Sequence, residues 1–252
     1  YIVHLRVYLK SSIYKNKVFF FFVSREVWYN AKNRRKNMDR DFVVIFDLDG
    51  TLLNTDLLIH KSFEHVFHIY KPDYQLTEEE HLSFLGPPLR ESFQRYFPNT
   101  MIDELVACYR EHNHKNHENY VTIYPTVKET LDILKQKGYP LALVTTKYKE
   151  AAYIGLNLFD LTKYFDIIIG GEDVIHSKPH PEGLLKVMKE TECRQGVMIG
   201  DNVSDILSGK HAGIYTIGVK WSPKGQEEIK QLKPDLMIDQ MKEIIKFIER
   251  VS

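Results

Sequence analysis

FDLDGTLLNTD, residues 46–56, closes an apolar run with two aspartates two positions apart and follows them with glycine and threonine. Residues Phe42 to Phe46 are all apolar and mostly β-branched or aromatic, the texture of a strand buried on both faces of a parallel sheet. Carboxylates at the end of such a strand are costly unless something offsets their charge. Asp47 and Asp49 share one side of the extended chain while Leu48 turns away, and Gly50 permits a sharp exit turn.

Outward from this stretch the chain changes texture twice. Residues 54–120 read as helices rich in aromatic side chains, with Leu57, Leu58, Phe63, Val66, Phe67 and Tyr70 recurring three and four apart. From Pro125 helix and strand patterns alternate: TVKETLDILKQKG, LALVT, KEAAYIGLN, FDIII, PEGLLKVMKE, GVMIG, VSDILSGKHAG and IYTIGV. That order predicts an α/β doubly wound parallel sheet. Gly138 and Gly213 are expected helix C-caps. The core domain is expected over 41–53 and 125–252, with an inserted helical domain over 54–124.

Composition fits an enzyme and narrows its partners. With 252 residues, 43% of them hydrophobic, there is material for one sizeable core and a small second one. Lys+Arg and Asp+Glu both total 34, so no whole-chain field favours nucleic acid or an anionic membrane, and neither is expected as a partner. Cys108 and Cys193 lie outside any metal-type spacing and read as thiols of a reducing, cytoplasmic compartment. Residues 1–40 differ from the rest. Their KVFFFFV run is too short to span a bilayer, which needs about 20 residues. Tandem AGG codons for Arg34 and Arg35 would resemble a bacterial ribosome-binding site, so translation is expected to start at Met38 and 1–40 to be an atypical extension.

Open parallel sheets place ligands beyond the carboxyl ends of their strands. The first ends on Asp47 and Asp49. LALV ends on Thr145 and Thr146, whose hydroxyls and following amides would cradle an anion at a helix start. HSKPHPE fixes Lys178 before two prolines. GVMIG runs into Asp201, with Asp205 one helical turn on. Three or four carboxylates at one rim repel unless a divalent cation joins them, and an all-oxygen set suits Mg²⁺ better than zinc. Lysine and threonine are donors to an anion, and the combination is what phosphoryl transfer needs.

FDLDGTLLNTD, VTTK, SKPHPE and GDNVSD, in that order, resemble the four motifs of the haloacid dehalogenase-like hydrolase superfamily and span the whole core. The resemblance implies that Asp47 is a nucleophile, Asp49 a general acid then base, Thr145 a phosphate ligand and Lys178 the neutralising charge. It also implies Mg²⁺ held by the Asp47 carboxylate, the Asp49 carbonyl and Asp201, with Asp205 in support. FLGPPLRESF, YREHNHKNH and GVKWSPKG further resemble bacterial PpaX-type pyrophosphatases, relatives of phosphoglycolate phosphatases, although GGEDVIH departs from that pattern. On this resemblance the inserted helices are a cap that excludes water, and inorganic pyrophosphate is the expected substrate, a small phosphomonoester the alternative. A sugar phosphomutase and a non-catalytic phosphate-binding protein are the other readings.

Beyond the motifs, Gly86, Arg90, Thr146 and Lys147 are candidate substrate contacts. His112, His114 and His117 lack the partners of a zinc site and read as solvated or capping residues. Trp221 reads as packing and KWSPKG as a surface loop. A monomer or homodimer is expected.

Overall fold

The computed structural model describes residues 8–14, 17–23, 41–223 and 226–252, and the chain divides into two compact units, Tyr1–Asp39 and Arg40–Ser252. In the first unit β1 (Tyr8–Tyr14) pairs antiparallel with β2 (Lys17–Val23), Tyr8 opposite Val23. The expected start at Met38 lies outside the described residues. Among the described residues no helix is long and apolar enough to cross a membrane.

The second unit is built on β3 (Phe42–Phe46), β6 (Leu141–Val144), β7 (Ile167–Ile169), β8 (Gln195–Gly200), β9 (Tyr215–Val219) and β10 (Leu236–Ile238). They form one sheet of six parallel strands in the order β10-β9-β8-β3-β6-β7. Period-two alternation sorts its side chains. Phe42, Val44, Phe46, Leu141, Leu143, Val197 and Ile199 enter one core layer, whereas Val43, Ile45, Ala142, Val144 and Met198 enter the opposite one. The first layer is covered by α5 (Val127–Gln136) and α10 (Ile244–Val251), the second by α7 (Glu182–Thr191). The alternation continues past the end of β3: Leu48 joins the first layer, which leaves Asp47 and Asp49 on the other parity.

Strand β10 and helix α10 were not expected. LMI has only three residues in its strand, too few for a periodic signal. The expected C-cap at Gly213 is present, with φ 74°.

Between β4 (Leu53–Asn54) and β5 (Thr122–Ile123), which pair antiparallel, the chain runs through α1 (Asp56–Tyr70), α2 (Glu78–Ser83), α3 (Leu89–Gln94) and α4 (Ile102–Tyr120). These helices bury a separate core that includes Phe63, Phe67, Phe84, Phe93 and Tyr109. Phe63 and Phe84 stack with ring centroids 3.9 Å apart. Both connections to the sheet therefore pass through one short ribbon, an arrangement that leaves the inserted helices a single narrow root.

Candidate active site

The end of β3 fixes the first carboxylate. The Asp47 amide donates to Ile199 O at 2.9 Å, so the residue is still registered against β8. Lys178, buried in the loop before α7, donates to Asp47 Oδ1 at 2.5 Å, to Asp205 Oδ1 at 2.6 Å and to Val144 O at 3.0 Å. One ammonium thus joins the ends of β3 and β6 to α8 (Val203–Ala212). Burial pushes the Asp47 carboxyl well above the usual range; Lys178 opposes this, while Asp205 and Asp201 reinforce it. Asp205 is held by a capping box, its Oδ2 accepting from the Asn202 amide at 3.0 Å.

Asp201 faces the same point. It accepts from Ser222 Oγ at 2.7 Å and Thr51 Oγ1 at 3.4 Å, and burial together with the Asp205 charge pushes it up to about 7. Gly50 serves two needs here. Its φ is +78°, and a Cβ built on it would lie 2.2 Å from Asp201 Oδ2, so a side chain would displace the carboxylate as well as strain the turn.

Asp49 has its own cation. Burial alone would raise its carboxyl, but the Lys147 ammonium, 2.7 Å from Oδ1, holds it below the ordinary value. Lys147 is thereby committed to a carboxylate. Thr145 Oγ1 accepts from the Lys147 amide at 3.2 Å, and the Lys149 amide, which opens α6 (Lys149–Leu158), goes to Glu172 at 3.0 and 3.2 Å. The anion cradle expected from the amides after Thr145 is accordingly narrower than the sequence suggested. A carboxylate from the chain itself already satisfies the helix start.

The insert closes one side. Thr146 Oγ1 donates to Gly86 O at 3.2 Å and Asn202 Nδ2 to Leu85 O at 3.4 Å, so two expected substrate contacts, Thr146 and Gly86, hold each other. Gly86 has φ +103°, and a Cβ there would meet Asn202 Nδ2 at 2.4 Å. Arg90 reaches the cavity wall but pairs with Asp103. The cavity, about 320 Å³, contains Asp47, Asp49, Thr145, Lys178, Asp201 and Asp205 on its sheet side.

Several wall residues escaped sequence reading. Asp56, the last residue of the opening stretch, lines the cavity and is pushed up to about 6 by burial and by Asp49. Arg110 and Asn113 line it from α4, beside His114, which the sequence placed among the solvated or capping histidines. Their three- and four-residue spacing is the available signal. Ser222 and Trp221 correct the reading of KWSPKG as a surface loop: Ser222 is buried on Asp201, and Trp221 Nε1 donates to Gly50 O at 3.1 Å. They follow β9, so the rule applied to four strand ends reaches a fifth. Of the other histidines, His117 is buried with Nδ1 on Asn113 O at 2.8 Å, and His112 Nδ1 meets Ser62 Oγ at 3.1 Å. Another cluster, His176, His180 and Glu182, spans the loop around Lys178 and the start of α7.

The carboxylates of Asp47, Asp201 and Asp205 offer oxygens within 4.8 Å of one another. Lys178 pairs with only two of these three buried acids, Asp47 and Asp201 are driven toward protonation, and every donor is oxygen. A hard divalent cation fits that set. The pH consequence is specific. Folded Asp201 holds a proton up to about 7, whereas its ordinary value is 3.8; stability from this group is therefore full below about 4 and lost as pH rises toward 7. Metal-free wild type should lose stability relative to Asp201→Asn between pH 5 and pH 8 in urea titrations. A gap that stays constant across that interval would refute the shift.

Parallel strands whose carboxyl ends gather buried acids and lysines beneath a helical insert define a Rossmann-like α/β hydrolase. Residues 44–219 match the haloacid dehalogenase-like hydrolase family, and the chain belongs to it. It is 42% identical over 207 residues to pyrophosphatase PpaX of Anoxybacillus flavithermus, covering 81% of this chain and 95% of that one. PpaX of Bacillus thuringiensis is 40% identical over 211 residues, covering 83% and 97%. Among solved structures, a haloacid dehalogenase-like family hydrolase from Streptococcus pneumoniae superposes with TM-score 0.73 and 25% identity, over 82% of this chain and 97% of that one.

Proposed function

We propose that this hydrolase is a Mg²⁺-dependent phosphohydrolase working through an aspartyl-phosphate, with inorganic pyrophosphate as its substrate. The observation that carries the reading is the pair of carboxylates on one side of β3 with separate cations, Lys178 on Asp47 and Lys147 on Asp49. Two acids in different surroundings suit two roles.

An Asp47 carboxylate oxygen attacks phosphorus, and the bond from phosphorus to the leaving oxygen breaks with its electron pair on that oxygen. Asp49 then takes a proton from water, whose oxygen attacks the aspartyl-phosphate and returns Asp47 as a carboxylate. Mg²⁺, held by the Asp47 and Asp201 carboxylates and the Asp49 carbonyl with Asp205 in support, would supply a Lewis acid for the charge on the transferred group. Lys178 shares that charge, and the Thr145 hydroxyl donates to the phosphoryl oxygens. The inserted helices act as a cap that excludes water while Asp47 is phosphorylated.

Lys147 bears on the choice of substrate. It holds Asp49 ionised, ready as a base but poorly prepared as an acid. Phosphate departs as a stable anion and needs less protonation than an alkoxide, which supports pyrophosphate over alkyl phosphates. The relatives named pyrophosphatase PpaX support the same reading.

The test is phosphate release from pyrophosphate, phosphoglycolate and hexose 1-phosphate, with and without Mg²⁺. Mg²⁺-dependent release with pyrophosphate turned over fastest is expected. Isomerised sugar without free phosphate would favour a mutase. No release from any substrate would overturn the phosphohydrolase reading.

A further inference from the structure

The cavity is more strongly cationic in residue count than in available charge. Lys178 is spent on Asp47 and Asp205, Lys147 on Asp49, and Arg90 on Asp103. Arg110 is different. It projects from the cavity-lining stripe of α4, and among the described residues no carboxylate lies within ion-pair distance of it. Its guanidinium carbon lies 3.9 Å from the centre of the Tyr148 ring, across the junction of insert and sheet domain.

That contact has a chemical consequence. A guanidinium held over an aromatic face leaves the N–H groups turned away from the ring for oxygen ligands. The ring also fixes the fork before a ligand arrives, so little side-chain freedom remains to be lost on binding. The same walls carry Asp56, Glu91 and Glu150. A negatively charged leaving group entering beside those acids needs a cation of its own, beyond those that serve the transferred phosphoryl group. Asn113 and His114, one turn along α4 from Arg110, extend the polar surface toward the same space.

We infer that Arg110, braced on Tyr148, is the residue that binds the leaving group and selects one that carries its own negative charge, a phosphate or a carboxylate. This rests on the phosphohydrolase reading and deepens it. It predicts that substrates with an anionic leaving group, pyrophosphate first and phosphoglycolate after it, are turned over in preference to neutral aryl or alkyl esters. Tyr148 acts as a positioning residue, since it touches the guanidinium rather than the substrate.

The test compares wild type, Arg110→Ala, Arg110→Lys and Tyr148→Ala on pyrophosphate, phosphoglycolate and p-nitrophenyl phosphate with Mg²⁺ present. Loss of a charge-assisted hydrogen bond predicts that Arg110→Ala lowers the ratio of kcat/KM on pyrophosphate to that on p-nitrophenyl phosphate by about 10- to 150-fold. Arg110→Lys should recover part of it, because a point charge replaces the fork. Tyr148→Ala should lower the same ratio by less, through KM. Calorimetric binding of methylenediphosphonate, which is not hydrolysed, should weaken in parallel in Arg110→Ala. Equal losses on all three substrates would make Arg110 a merely structural residue and overturn the inference. So would wild type that prefers p-nitrophenyl phosphate, while that result leaves the phosphohydrolase class standing. Wild type that releases phosphate from none of them removes the class itself.

Discussion

Asp47→Asn should abolish turnover, a loss of roughly 10⁴-fold or more in kcat, while the fold stays intact. The amide nitrogen has the shape of the oxygen it replaces and no nucleophilic lone pair, so neither a neighbouring base nor a metal restores the attack. Stability should not fall with activity. Asp47 is buried and its carboxyl is driven toward protonation by burial and by Asp205 and Asp201. Neutralising it removes a desolvation cost, and Lys178 keeps Asp205 at 2.6 Å and Val144 O at 3.0 Å. The metal-free variant is therefore expected to melt at or above the wild-type temperature. Phosphate release and thermal unfolding on one preparation decide the matter: retained turnover would sink the nucleophile assignment, and loss of both would show that Asp47 is needed for folding.

The sheet could be read from the chain because its strands carry their message locally. Phe42 to Phe46 are apolar without interruption, and a strand hidden on both faces has no reason to be otherwise. Asp47, Asp49, Thr145, Lys178 and Asp201 could be singled out for a related reason: each stands where an apolar strand stops or a proline-stiffened loop begins, a place where a charged or polar group needs an explanation, and Asp205 follows Asp201 one helical turn on. What could not be read is pairing. Nothing local says that Lys147 turns to Asp49 or that Glu172 takes the start of α6, since these partners meet only once the sheet assembles, and Arg90 gives no sign that it prefers Asp103. Ser222 was hidden differently. Serine after a strand is ordinary turn chemistry, and only the closure of β9 beside β8 brings it onto Asp201.

Lys178→Met should cost both activity and stability, and Mg²⁺ should separate the two losses. The Lys178 side chain is 5% exposed and its ammonium is the shared partner of Asp47 and Asp205, whose side chains are 9% and 1% exposed. Methionine fills similar volume but leaves two buried carboxylates facing each other near Asp201. Removing one partner of a buried ion pair costs about 3–5 kcal/mol, and water offers little screening at this depth. Two routes relieve the strain. Asp47 takes up a proton more readily in the folded chain than in the unfolded one, because burial raises its carboxyl, so the stability deficit should shrink as pH falls. At pH 7.5 Mg²⁺ should recover part of the stability by supplying the missing positive charge, without restoring turnover, because the lysine proposed to share the charge of the transferred phosphoryl group is gone. Urea titrations at pH 5 and 7.5, with and without Mg²⁺, beside phosphate-release assays, separate these effects. A deficit that neither pH nor Mg²⁺ changes would mean that Lys178 stabilises the chain through packing of its stem, and the charge-sharing role assigned to it would fall.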